Sequence, residues 1–303
     1  MDVVDGYESW MNIPGLPTDV VVPAKYWGGN NHWMFDPWAK REGALNIHNH
    51  RHTAWAQHIF DNWAFMYDRI SPANFDWRGE TIFIVGRGES LSQSAPALNS
   101  AAREGICLWL NSTCCHAGVE MKPQDYVMAF DAAISTDVAM KGAATGRKFI
   151  TAPIMTAEVL KWHWDEILGF TLWNDAPMNN FMRNLFPDLP ELVECLGVNV
   201  SALHLAALSG AKKIVLVAQD CVSDADCGNQ GLITHNIPSG AVQSDIYYSQ
   251  LAMAISMLSF FAFKHTGVEI VNCSGTALIG HDLLSKNCSP FPWMKCDKLE
   301  NHI

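Results

Sequence analysis

The chain has 303 residues, with 20 Lys+Arg against 31 Asp+Glu, a formal net charge of −11 and 49% hydrophobic residues. That apolar fraction, with 12 Trp and 14 Phe, is enough for one large or two modest cores and excludes a disordered chain. The acidic balance argues against a general nucleic-acid binder, which must present positive charge to phosphates.

Residues 1 to about 43 carry Pro14, Pro17, Pro23 and Pro37, a Gly28-Gly29-Asn30-Asn31 turn and scattered aromatics, without helical or strand periodicity. This reads as an extended arm, and its tryptophans suit packing on the body or on a second copy of the chain. The first five residues have no basic segment leading into an apolar one, so no secretory leader is expected. Ala44 to Ile70 contains no Pro and no Gly and spaces Trp55, Ile59, Trp63 and Met66 as an amphipathic helix requires, ending at Ser71-Pro72.

From Thr81 the pattern changes to Ile82-Phe83-Ile84-Val85, a β-rich run closed by Gly86-Arg87-Gly88-Glu89-Ser90, with a helix predicted from Ser92. Further apolar runs occur at Ile106 to Leu110, Tyr126 to Phe130, Lys148 to Thr151, Ile214 to Val217 and Val268 to Val271. Asn199 to Ser209 reads as a helix capped by Asn199 or Ser201 and stopped by Gly210. Leu251 to Phe263 is a buried helix, well short of the roughly 20 apolar residues that cross a bilayer. Strands alternating with helices imply an α/β, Rossmann-like fold with a mostly parallel sheet covered on both faces. The nine cysteines include no Cys-x-x-Cys, so reduced thiols and a cytoplasmic location are expected.

Four constellations could carry chemistry. Gly86-x-Gly88-x-Ser90 lies where a strand feeds a helix, a place where backbone amides and the helix N-terminus suit an anion such as a nucleotide phosphate. Glycines at such a turn are also common for steric reasons alone, and Glu89 works against phosphate packing unless it turns outward. Asn111-Ser112, Asp131 and Gln219-Asp220 follow other predicted strands. Each could merely cap a turn, but together they should meet at the carboxyl edge of the sheet, where α/β folds bind ligands. His235 falls in a polar loop with Asp224, Asp226, Asn229, Gln230 and Gly231, and a neutral imidazole there could accept a proton from a hydroxyl. His48, His50, His52 and His58 invite a metal, but the spacing puts His50 off the face that His48 and His52 share. Cys221, Cys227 and His235 are too loosely spaced for zinc, and no metal site is assigned.

Several segments, in order, resemble one family: the domain shared by archaeal 6-hydroxymethylpterin diphosphokinases and bacterial motility-associated flagellin glycosyltransferases. Ile82 through Leu91 resembles its strand and G-x-G-P-S-L loop, with Glu89 in place of proline. Leu108 to Ser112 is similar to the second strand end, and Met121 to Asp131 to a K-P-D-hydrophobic-D segment. Asn199 through Asp220 resembles a helix leading to a G-Q-D strand end, with Ala218 where glycine is usual. Val268 to Gly275 is similar to the final strand and its loop. The layout is also similar to bacterial sialyltransferases that use a cytidine-monophosphate sugar.

The resemblance implies His235 and Asp131 as catalytic residues. It further implies Gly86, Gly88, Glu89, Ser90, Asn111, Ser112, Asn199, Ser201, Gln219, Asp220, Ser274 and Gly275 as contacts to a nucleotide. It divides the chain into an N-terminal arm and helix (1–75), a nucleotide-binding transferase domain (76–285) and a C-terminal tail (286–303). The activity implied first is transfer of a sugar from a CMP-sugar donor to an acceptor hydroxyl; the alternatives are magnesium-dependent pyrophosphoryl transfer from ATP and a degenerate module that binds without turnover. The diphosphokinase-like members carry an acidic pair for magnesium, whereas here Asp131 is followed by Ala132-Ala133. The sequence names neither the acceptor nor a partner, although the aromatic arm suits a homo-oligomer.

Overall fold

The computed structural model describes residues 42–130, 146–173, 177–193, 197–222, 233–244, 246–276, 278–283 and 288–303. The arm at 1–41, the polar loop at 223–232 and Asp131 lie outside the described residues. In chain order the first elements are α1 (Glu42–Arg69), β1 (Ile70–Pro72), β2 (Thr81–Val85), α2 (Leu91–Asn99), β3 (Ile106–Leu110) and β4 (Tyr126–Met128). Next come β5 (Lys148–Thr151), α3 (Ala157–Leu160), β6 (Glu166–Gly169), β7 (Thr171–Trp173), α4 (Pro177–Leu185) and β8 (Glu191–Val193). The last are α5 (Val198–Leu208), β9 (Lys213–Val217), β10 (Ile233–Ile237), β11 (Gly240–Ser244), α6 (Ile246–Thr266), β12 (Glu269–Asn272) and β13 (Met294–Cys296).

The chain forms two compact units, Met1–Phe75 with Tyr126–Glu194, and Asp76–Asp125 with Cys195–Ile303. The helix expected to belong to a separate N-terminal region therefore shares a unit with strands β4 to β8. In that unit β1, β6, β5 and β4 are adjacent in this order and parallel, and β7 and β8 form a separate parallel pair. The buried stripe of α1 is Trp55, Ile59, Asn62 and Met66. Trp63, expected in the core, is one position round the helix and 37% exposed, packed against Tyr67 and Phe186 instead. Asn62 takes its place because its amide donates to the Met155 carbonyl at 2.6 Å, which satisfies a buried polar group. His58 hydrogen-bonds the Ile154 carbonyl at 3.0 Å on the same side. His48, His50 and His52 fall in the first turns of α1, and their side chains lie outside the described residues.

The second unit holds a parallel sheet in the order β3-β2-β9-β12-β13. Strands β2, β3 and β9 are buried from their second residue onward, as strands covered on both faces must be. Helix α5 packs on β2, β3 and β9, and α6 lies beside it over β12 and β13. Crossovers from β2 to β3 and from β9 to β12 run in opposite directions along the sheet, so right-handed connections put α2 and α6 on opposite faces. The fold is α/β and Rossmann-like, as the alternation predicts. Residues 286–303, expected as a tail, supply the edge strand β13 of this sheet.

The strand order reverses between β2 and β9, which makes their carboxyl ends a topological switch point, the usual ligand crevice of such sheets. Register brings the ends level: Val85 pairs with both Trp109 and Val217, and Asn272 pairs with Leu216. The residues that follow these four strands therefore share one edge.

Candidate functional site

At that edge the turn after β9 grips the glycine loop after β2. The Gly86 and Gly88 amides donate to the Val217 and Ala218 carbonyls, each at 2.8 Å. The carboxylate of Asp220 then crosses to the start of α2, accepting from the Ser90 amide at 2.8 Å on Oδ2 and from the Ser90 hydroxyl at 2.6 Å on Oδ1. The Gly275 amide, from the loop after β12, donates to the same Oδ1 at 2.8 Å and to Ser90 Oγ at 3.0 Å. Three loops are closed on one buried carboxylate, and an anion at a helix N-terminus is favoured by the exposed amides and the helix dipole. The glycines are demanded by this approach: a Cβ on Gly88 would sit 2.4 Å from Asp220 Oδ2 and 2.7 Å from the Ala218 carbonyl.

Gln219 builds the floor. Its amide N–H donates to Ser274 Oγ at 2.9 Å, its side-chain nitrogen donates to the Ile84 carbonyl at 3.1 Å, and its side-chain oxygen accepts from Asn199. Asn199 is not the helix cap that the sequence suggested: α5 begins at Val198 behind Gly197, and the Asn199 side chain in the first turn reaches Gln219 instead. Ser201, two residues on, faces elsewhere on the helix and is fully buried. Thr276 donates its hydroxyl to the Asp220 carbonyl, tying the β12 loop a second time to the β9 turn.

On the other side of β2, Arg87 extends over the end of β3, where its Nη1 donates to Ser112 Oγ at 2.8 Å. Asn111, the first residue beyond β3, has φ +50°, in the left-handed region that asparagine enters more readily than other residues with a side chain. Its Oδ1 is buried and finds no partner among the described residues. Ala218, at the end of β9, also has φ +51°, which accounts for the glycine expected at that position. Left-handed residues thus lie on both sides of β2, with Cys221 beyond Ala218 a third, and such backbone concentrates at functional edges of folds. Glu89 is exposed.

His235 lies in the strand β10 of an antiparallel hairpin with β11, not in an open loop, and it pairs with Val242. The alternation of the hairpin turns His235 and Ile237 inward, leaving His235 6% exposed with Nε2 2.8 Å from Ser249 Oγ on α6. Burial holds its pKa below the ordinary value, so the ring is neutral near pH 7. Ser244, which closes the hairpin opposite Ile233, donates its hydroxyl to the Cys221 carbonyl at 2.7 Å. The hairpin is thereby anchored to the residue after Asp220, and His235 stands two residues, about 7 Å of strand, from that anchor.

The structure therefore brings together Gly86, Gly88, Ser90, Asn199, Gln219, Asp220, Ser274 and Gly275 by direct contact, with Asn111 and Ser112 alongside. Asp131 lies outside the described residues. Arg87 is the residue the sequence reading missed. It occupies the variable position between the two glycines, and only the register of β2 against β3 reveals that it reaches Ser112.

No protein-family model and no curated protein matches the chain. Its fold is similar to that of a MAf glycosyltransferase from Magnetospirillum magneticum AMB-1, with a TM-score of 0.56 at 12% identity. The match covers 77% of this chain but 35% of the neighbour, so the chain spans about a third of that protein's length. At this identity the likeness is one of fold. Among the described residues no helix is long and apolar enough to cross a membrane.

Proposed function

We propose that the chain is a nucleotide-dependent transferase that moves a sugar from a nucleotide-activated donor, of the CMP-sugar type, to an acceptor hydroxyl. The observation that carries this reading is the edge at the switch point: a left-handed Asn111 with an unsatisfied buried oxygen at the end of β3, and an exposed Arg87 held on the next residue, Ser112. An acceptor oxygen without a donor suits a ribose hydroxyl or an exocyclic amine, and a guanidinium suits a phosphate. The likeness of fold to a glycosyltransferase supports the same reaction class.

In the reaction, the acceptor hydroxyl loses its proton to the neutral imidazole of His235 as its oxygen attacks the anomeric carbon. The bond from that carbon to the donor phosphate breaks, and the nucleotide leaves with the electron pair. Arg87 would offset the charge that gathers on the phosphate. Asp220 fits this scheme as a scaffold, its two oxygens holding Ser90 and Gly275 to the turn after β9.

The test is release of CMP from a CMP-sugar, with water as the fallback acceptor, in the presence of a metal chelator. The reading expects CMP release by the full chain, and loss of release with retained CMP binding in His235→Ala. Magnesium-dependent conversion of ATP to AMP, without CMP release, would replace it with pyrophosphoryl transfer. Binding of CMP with no turnover in either assay would leave a binding module.

A further inference from the structure

We propose that Arg87, and not the amides of the glycine loop, reads the phosphate of the nucleotide donor, an inference that rests on the donor-site reading above. In a strand-glycine-helix turn the phosphate ordinarily sits on the first amides of the helix. Here that seat is filled from within. Asp220 takes the Ser90 amide, the Ser90 hydroxyl and the Gly275 amide, while the Gly86 and Gly88 amides are spent on carbonyls of β9 and its turn. A phosphate at the Ser90 amide would have to displace a carboxylate, and its own charge would be repelled by that carboxylate otherwise.

The cation lies on the opposite flank of the same loop. Arg87 is exposed, makes no ion pair among the described residues, and is held by Ser112 through a single nitrogen. A guanidinium carries five N–H donors in a planar fork, so the rest of the fork is open to a phosphate. The hydroxyl of Ser112 holds one nitrogen of the fork at the end of β3, one residue after Asn111, whose buried Oδ1 finds no partner among the described residues. A nucleoside monophosphate unit laid along this flank would meet a cation at its phosphate and an acceptor at its sugar or base. In a chain of net charge −11, that cation is also what makes this edge attractive to an anion.

The experiment compares CMP with cytidine, which lacks only the phosphate, by titration calorimetry on the full chain and on Arg87→Ala and Arg87→Lys. Arg87 is exposed, so melting temperatures of the variants serve as a folding control. The expected result is a preference of the wild type for CMP of about tenfold or more, as a charge-assisted contact provides. Arg87→Ala should bind CMP as weakly as cytidine, with cytidine affinity unchanged, and Arg87→Lys should keep part of the preference. A preference for CMP that survives in Arg87→Ala overturns the assignment while leaving the donor reading intact. Failure of the wild type to bind either compound overturns both.

Discussion

Two aspartates that both fall in the sequence motifs, Asp125 and Asp220, organise opposite edges of the same sheet and end in different states. Asp125 sits at the amino end of β3, fully buried against Arg103, with contacts at 3.0 and 2.8 Å. It also accepts from the Cys107 and Lys122 amides and from the Trp109 indole, while Arg103 Nε and Nη1 donate to the Leu98 and Gly105 carbonyls. Each of these charges has its partners, and nothing there asks for a ligand. Asp220 is as well bonded, but its neighbours at the carboxyl edge include an unpartnered acceptor, an outstretched cation and three left-handed residues, Asn111, Ala218 and Cys221. What separates a scaffold carboxylate from one beside a binding site is therefore the residue of unmet demand around it, not the carboxylate itself.

The largest effect should come from the closed network. Asp125→Ala leaves Arg103 buried without its partner and should cost about 3–5 kcal/mol in urea unfolding. Loss of that size without any change in the CMP-over-cytidine preference of the folded protein would keep the amino edge purely structural. Next comes the clasp: Gly88→Ala drives a methyl into Asp220 and should cost about 1–3 kcal/mol. Gly88→Val would be worse, so it cannot serve as a clean probe of binding.

The third expectation concerns pH. Because burial lowers the His235 pKa in the folded state, the unfolded chain binds the proton more readily, and stability falls as pH drops below about 6.5 toward the lower folded value. Transfer should decline over the same low window, since only the neutral ring accepts a proton; a rate that instead falls with rising pH near neutrality would remove His235 as base. The smallest effects separate strain from function. Ala218→Gly should gain up to about 1 kcal/mol by relieving its left-handed backbone. Asn111→Gly should change thermal melts little, since asparagine tolerates the left-handed region, yet lose nucleotide affinity, and a variant that kept affinity would make Asn111 a turn residue only.

Much of the fold was legible because it is local. The runs Ile106–Leu110 and Lys148–Thr151 are strands as read, since unbroken apolar runs between turns have few other uses in an α/β chain. The site was legible as a set of strand ends but not as a bonded arrangement. Ser90 and Asp220 are 130 residues apart, and no local pattern tells that the aspartate fills the seat a phosphate would take. His235 reads as a loop residue in sequence because Ile233–Ile237 alternates buried and exposed positions over a short, polar stretch, a weak signal for a hairpin. Arg87 escaped notice because a position between two glycines carries no periodicity at all.

The measurement that tests the central claim most directly is a thermal-shift panel of CMP, CDP, UDP, GDP, ATP and NAD, with and without magnesium, since a ligand of the native state raises the melting point by mass action. The account expects a shift with CMP that does not depend on magnesium. A shift confined to ATP with magnesium, or none with any nucleotide, would contradict it.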